Sequence, residues 1–352
     1  MKSPLIYDQR DFKWILLSNI LKIFDSRRTR QEIAKQGFKS LNKSVLILKI
    51  VFISLFFSTN ISYVLKELET RPELRKFVDI TTVPSNDEIS RFMSQFNDEQ
   101  FINLVLMILN TISKPRRNKK AWIVVDSTDI QVDLNWFRRK ISKKSLENKP
   151  FKWGYSSSKS FYIGYKLTLA IDYHTRKPLA FLIHEGSPHD SKIYSEILEE
   201  LKRRRLIRRG DTIIMDKGYY SYQNYLLGVS RYQIVPLIFP KSNFKLKKAL
   251  SKLSYPINCF RNSKLKKKTK KFFTELKKEF IHKISEWQRY KYIRSIIEDM
   301  FKLAKKSLDL TKIHRYTTKS VTKHVSLNVL LLGTIISLGY NSKTQLQTLA
   351  ET

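Results

Sequence analysis

Apolar positions recur along this chain with two different periods, and the change between them divides it. From residue 1 to about 112 the spacing is helical. The most apolar stretch, "VLILKIVFISLFF" (45–57), is interrupted by Lys49 and falls short of the roughly 20 residues that cross a bilayer, so it predicts a buried helix. In "VPSNDEISRFMSQF" (83–96), Ser85 stands three residues before Glu88, a capping box, ahead of Ile89, Phe92, Met93 and Phe96 on one helical face. Such faces predict a small helical bundle. "SKPRRNKKAW" (113–122) is a polar, basic joint, and a strand-like pattern follows it. "AWIVVDSTDIQV", "FYIGYKLTLAIDYH" and "KPLAFLIHEG" predict three strands, the last two joined by a turn around His174 to Lys177. "SKIYSEILEELKRRRL" (191–206) predicts a helix, "DTIIMD" a fourth strand, residues 221–230 a short helix and "YQIVPLIFP" a fifth strand. That order implies a mixed α/β sheet with helices packed on it. No internal repeat is visible.

Charge changes the picture. The 352 residues hold 67 Lys and Arg against 31 Asp and Glu, a formal charge of +36. An isolated protein this basic repels itself, which points to a polyanionic partner, nucleic acid ahead of an acidic membrane surface. A lysine-rich proteome is the bland alternative. With 42% apolar residues the chain is a folded protein rather than a disordered one. The single cysteine, Cys259, excludes an internal disulfide and a multi-cysteine zinc site, and the six His show no HExxH spacing. A reducing cytoplasm is the simplest home, and no secretory pattern opens the sequence. Residues 241–283 carry 15 Lys and Arg against two acids, Glu275 and Glu279. They read as an inserted, solvated element of helices with basic faces, either contacting phosphates or idle.

Against this background a few acids occupy unexpected places. Asp126 lies inside the first predicted strand, where a carboxylate is costly to bury unless paired or metal-bound, and Asp216 ends the fourth. Glu298 lies in "YKYIRSIIEDMFKLAKKSL" (290–308). At about 100° per residue with Arg294 as zero, Glu298 falls near +40° and Lys305 near +20°, while Ile293, Ile297, Met300 and Ala304 centre near −100°. One polar strip thus combines an acid with two bases. An i, i+4 ion pair on a solvated helix would explain Arg294 and Glu298 alone.

The motifs "VVDST", "DKGY" and "RSIIEDMFKLAK" stand in the order and approximate separation of the three acidic motifs of prokaryotic insertion-sequence DDE transposases, which the chain resembles over roughly residues 40 to 340. "FYIGYKLTLAIDYHTRKPLAF", the "HDS" at 189–191 and "LKELETRPELRKFVDITTVPSNDEISRF" also look like family segments. The family's last motif is Tyr, two residues, Arg, three residues, Glu, six residues, Lys. Arg294, Glu298 and Lys305 fit it; the tyrosine position falls on Lys291, and Tyr290, one turn before Arg294, is the candidate for that role. The resemblance implies an RNase H-like mixed five-stranded sheet with flanking helices, preceded by an all-helical N-terminal domain. It implies that Asp126, Asp216 and Glu298 are catalytic and hold two Mg2+ ions, with Mn2+ as a substitute. Arg294, Lys305, Tyr290 and Lys217 would bind DNA phosphates. The implied activity is cleavage at transposon terminal inverted repeats and transfer to target double-stranded DNA, by a homodimer assembled on DNA, in the cytoplasm at the nucleoid and without a membrane.

The domains expected are a helical DNA-binding domain (1–112), the catalytic domain (119–240 and 284–340), the lysine-rich insertion (241–283) and a tail (341–352). Asp129 faces away from Asp126 if the strand period is two; Asp190 reads as the cap of the following helix, Asp172 as a hairpin-shaping acid, and Trp287 as a core ring ahead of a base-stacking one. Two rival functions share these features: a nuclease of the same fold without strand transfer, and a non-catalytic, domesticated DNA-binding protein.

Overall fold

The computed structural model describes residues 11–38, 40–112, 120–134, 152–156, 160–253, 263–308, 310–340, 342 and 344–345. Residues 113–119 of the basic joint (113–122), Cys259 with the rest of 254–262, and most of the expected tail lie outside them. In chain order the elements are α1 (Phe12–Asp25), α2 (Arg27–Ala34), α3 (Leu41–Phe56), α4 (Ile61–Thr70), α5 (Pro72–Phe77), α6 (Asn86–Ser94), α7 (Asp98–Ile112), β1 (Trp122–Val132), β2 (Lys152–Ser156), β3 (Ser160–Asp172), β4 (Pro178–Glu185), α8 (Asp190–Arg203), β5 (Thr212–Met215), α9 (Tyr222–Leu226), β6 (Val235–Ile238), α10 (Leu246–Lys252), α11 (Ser263–Ser285), α12 (Ser295–Ser307), β7 (Lys312–Ile313) and α13 (Thr318–Ser337). They form two compact units, and β1 and α12 each run from one into the other.

The described part of the first unit (Met1–Lys114, Gln131–Pro150 and Met300–Thr352) is mainly helical, with β7 and the last two residues of β1 in it as well. The capping box forms at α6: Ser85 accepts the N–H of Glu88, whose carboxylate accepts the N–H of Ser85. α3 is apolar almost all round and accordingly buried, with Lys49 inside paired to Asp25 at 2.8 Å. α13 is long and apolar enough to cross a membrane, yet 83% of its apolar window is buried in the protein. It packs on α7, α1 and α3, and its buried Lys323 donates to the carbonyl of Met93. This unit therefore draws its core from both ends of the described chain. The expected division, with all of 284–340 in the catalytic domain, differs here because α13 finds its apolar partners among the N-terminal helices.

The second unit (Pro115–Ile130 and Phe151–Asp299) carries the sheet. The strand order is β2-β3-β1-β5-β6, with β4 also paired to β3. β3 is antiparallel to β4, whereas β1, β5 and β6 run parallel. This is a mixed α/β arrangement with flanking helices, consistent with the RNase H-like sheet expected. α8 covers part of the sheet through Ile193, Tyr194, Ile197, Leu198 and Leu201, all buried.

Among the described residues, seven strands stand where five were expected. β7 is two residues long, too short to show any period, and pairs with Gln131 and Val132 at the end of β1. β2, "KWGYS", hides its strand character behind Gly154, a residue that disfavours strands. A Cβ there would lie 2.6 Å from the ring of Tyr162, so the position needs glycine to let that ring lie across it. The lysine-rich insertion is helical as expected, but its second half is core rather than solvated. Leu276, Phe280 and Ile284 of α11 are buried, and the helix packs on β6. Three apolar side chains at spacings of four suffice to bury one stripe of an otherwise basic helix.

Candidate active site

The parallel register of β1 and β5 does the first positioning. Trp122 pairs with Thr212 and each later residue with its counterpart up to Val125 and Met215, so where this pairing stops Asp126, within β1, and Asp216, just past the end of β5, come next on neighbouring strands. The third group comes from the segment Trp287–Arg294, a 3-10 helix, followed by α12. Its Arg294 reaches the other two acids as well as its own helix neighbour. Arg294 Nε donates to Asp126 Oδ2 at 3.2 Å, Nη1 lies 2.8 Å from Asp216 Oδ1, and Nη2 lies 2.9 Å from Glu298 Oε1. Each nitrogen of the guanidinium thus serves a different carboxylate.

Electrostatics sharpen this geometry. Burial drives the Asp126 carboxyl up to about 6, opposed by Arg294 and by the N–H of Ser127, which donates to Asp126 Oδ1 at 2.8 Å; the charges of Asp216 and Asp190 push it further up. Burial lowers the Arg294 guanidinium, but the three acids outweigh that and hold it above its usual value. Beneath Asp126, the Ser127 hydroxyl lies 2.8 Å from Thr168 Oγ1 and 2.6 Å from the fully buried hydroxyl of Tyr219, which ties β1, β3 and the turn after Asp216 together.

Asp190 belongs near this cluster, which its reading as a helix cap missed. The cap is His189, whose Nδ1 accepts the N–H of Ser191. Asp190 Oδ1 instead lies 2.7 Å from Lys166 Nζ, and a Cβ on Gly218 would fall 2.7 Å from Asp190 Oδ2. The signal was the glycine in "DKGY": a side chain there would collide with the acid.

The transposase DDE domain family matches residues 117–332, more than half of the chain. This chain belongs to that family. A similar solved structure is the cryo-EM structure of the piggyBac transposase synaptic complex with hairpin DNA, at 11% identity and a TM-score of 0.42, covering 99% of this chain and 80% of that one. No curated protein matches the chain.

Not every residue expected at the site of this DDE domain gathers there. The ring of Tyr290 lies against Trp122, centroids 5.6 Å apart, at the start of β1 and roughly 13 Å along the strand from Asp126. The expected helix from 290 is a 3-10 helix up to Arg294, whose tighter winding, about three residues per turn, turns Tyr290 off the strip. Lys217 is exposed, immediately after Asp216. Lys305 is half-buried on α12 within the helical unit, its carbonyl accepting from Thr311. Trp287 packs on Phe239, and Asp172 shapes the hairpin by accepting from the N–H and hydroxyl of Thr175.

As arranged, no three His, Cys, Asp or Glu side chains among the described residues form a ready metal cage. The cation that Asp126, Asp216 and Glu298 share is the guanidinium. Their chemistry nonetheless suits a hard divalent ion, since all the donors are carboxylate oxygens.

Proposed function

We propose that this transposase domain cuts phosphodiester bonds at the ends of an insertion sequence and joins the freed 3′-hydroxyl to target DNA. The observation that carries the reading is three carboxylates around one guanidinium, a cluster two positive charges short of neutral in a chain of formal charge +36. Such a cluster is built to receive cations. Asp126, Asp216 and Glu298 would hold two divalent ions, magnesium or manganese, which when bound activate the attacking oxygen and stabilise the departing one. Water attacks first, forming a new P–O bond as the 3′-oxygen leaves with a proton. That 3′-oxygen then attacks a target phosphodiester and displaces another 3′-oxygen, so bonds are conserved and no high-energy cofactor is needed.

The protein supplies the rest. Without metal, burial holds the Asp126 carboxyl up at about 6, and a bound cation would favour its charged state. Arg294, once released by the carboxylates, offers a planar fork of donors to phosphate oxygens, and Lys217 acts as a point charge. Tyr290 supports this segment from its place on Trp122. The N-terminal helices read the terminal repeats, the exposed lysines of α10 and α11 hold duplex phosphates, and two copies assemble on DNA at the nucleoid.

Cleavage of an end-containing oligonucleotide with magnesium tests this. Asp126→Asn, Asp216→Asn and Glu298→Gln should each abolish cutting while duplex affinity stays within a few fold, because binding rests on the Lys and Arg side chains. Near-normal cutting by any one variant removes that residue from the site. Adding a target duplex separates a transposase, which yields joined strands, from a nuclease, which does not.

A further inference from the structure

Beyond the carboxylates the sheet carries a second surface that the cutting chemistry does not use. β2 pairs antiparallel with the start of β3, placing Tyr155 opposite Phe161, Gly154 opposite Tyr162 and Trp153 opposite Ile163. Side chains alternate between faces along each strand. One face is closed: Tyr162 is buried and its ring lies across Gly154. This hairpin is also pinned from the side. Gly186, at φ +69°, leaves no room for a Cβ beside the carbonyl of Trp153, and Ser187 Oγ donates to the carbonyl of Tyr155 at 3.2 Å. The other face presents Trp153, Tyr155 and Phe161, which are 67%, 61% and 73% exposed.

Three large rings held open on a pinned ribbon form a recognition surface. We infer that this aromatic ledge stacks the bases of unpaired DNA. Trp153 and Tyr155 stand two strand positions apart, roughly 7 Å. Stacked nucleotides rise only about 3.4 Å per step, so neighbouring bases can seat on these rings only when splayed, as an unpaired strand allows and a duplex does not. The occupant also matches the charge of the chain, a polyanion for a protein of +36. A stable protein partner would bury of the order of 800 Å² on this side, whereas here only three rings stand together, among the polar groups of Lys152 and Ser160. From Phe161, β3 runs seven residues, roughly 23 Å, to Thr168, whose hydroxyl meets Ser127 beside Asp126. A strand opened near the cut lies within reach. This inference rests on the reading of the domain as a DNA-cutting enzyme.

The test compares binding of labelled oligo(dT) and of a random duplex to the full chain without metal. Two triple variants are used, Trp153, Tyr155 and Phe161 all changed to Ala, or all to Leu; the Leu variant keeps apolar contact without a π face. Both should weaken oligo(dT) binding on the order of a hundredfold, leaving duplex affinity within about threefold and the thermal midpoint unchanged. Unchanged oligo(dT) affinity, or its retention by the Leu variant alone, overturns the ledge while leaving the cutting reading intact. Loss of self-association with oligo(dT) affinity retained also overturns it, assigning the face to a second copy. A wild-type chain that binds neither DNA overturns both readings.

Discussion

The two ends of the stretch over which β1 and β5 pair hold two opposite solutions to buried charge. At the start of β1 and β5, Glu279 lies 2.7 Å from Lys120 and 2.8 Å from Lys283; Lys283 also donates to Thr212 and lies over the Trp122 ring at 4.8 Å. At the far end, one arginine serves three acids. The first cluster surrounds its acid with bases and places its surplus lysine on a hydroxyl and a ring face. Burial there raises the Glu279 carboxyl, but the two lysines outweigh it and hold it below its usual value, whereas Asp126 is driven up to about 6. A satisfied cluster is architecture. An unbalanced one, in the same unit and on the same strands, is where the proposed cations would be held.

Breaking the balanced end should have the largest effect on stability. Glu279→Leu leaves Lys283 buried without its carboxylate and should lower unfolding free energy by about 3 kcal/mol in urea titration, with Lys283→Met added to it restoring most of the loss. At the other end the signature is pH. The folded Asp126 carboxyl titrates at about 6 against 3.8 in the reference state, so between those values the folded protein binds the extra proton and stability falls as pH rises. Relative to Asp126→Asn, the metal-free wild type should lose about 2 kcal/mol between pH 4 and 7, read from urea midpoints across a pH series.

Arg294→Ala removes the guanidinium that the three carboxylates share. The metal-free variant should be less stable by about 1–2 kcal/mol, yet bind magnesium more tightly in calorimetry and gain more in melting temperature from it than wild type. Equal magnesium stabilisation of both would show that Arg294 and the metal do not compete for the same carboxylates. The smallest effect belongs to Lys120→Met, since its side chain is largely exposed: below about 1 kcal/mol, and nothing on cutting.

The acids were legible because each breaks a local rule: Asp126 interrupts an apolar strand, Asp216 ends one, and Glu298 shares a helical strip with Arg294. The capping box at Ser85 was legible for the same reason, being a contact across three residues. Lys283 and Asp190 were not. Lys283 looked like one more base in a lysine run, and only its packing beside Thr212, 71 residues away, makes it a core residue. Asp190 looked like a cap, and only the approach of Gly218 places it beside the cluster.

The sequence by itself determined the periods, and with them the helical and sheet regions, the strand positions at which acids stand and the basic surplus of the whole chain. Tertiary structure alone decided that Arg294 meets Asp126 across 168 residues, that Tyr290 turns to Trp122 instead, and that α13 joins the N-terminal helices. The division has a physical cause: periodicity and capping are energies between residues a few positions apart. Which distant charges and apolar stripes meet is set by strand register and helix packing, terms that exist only once the chain has folded.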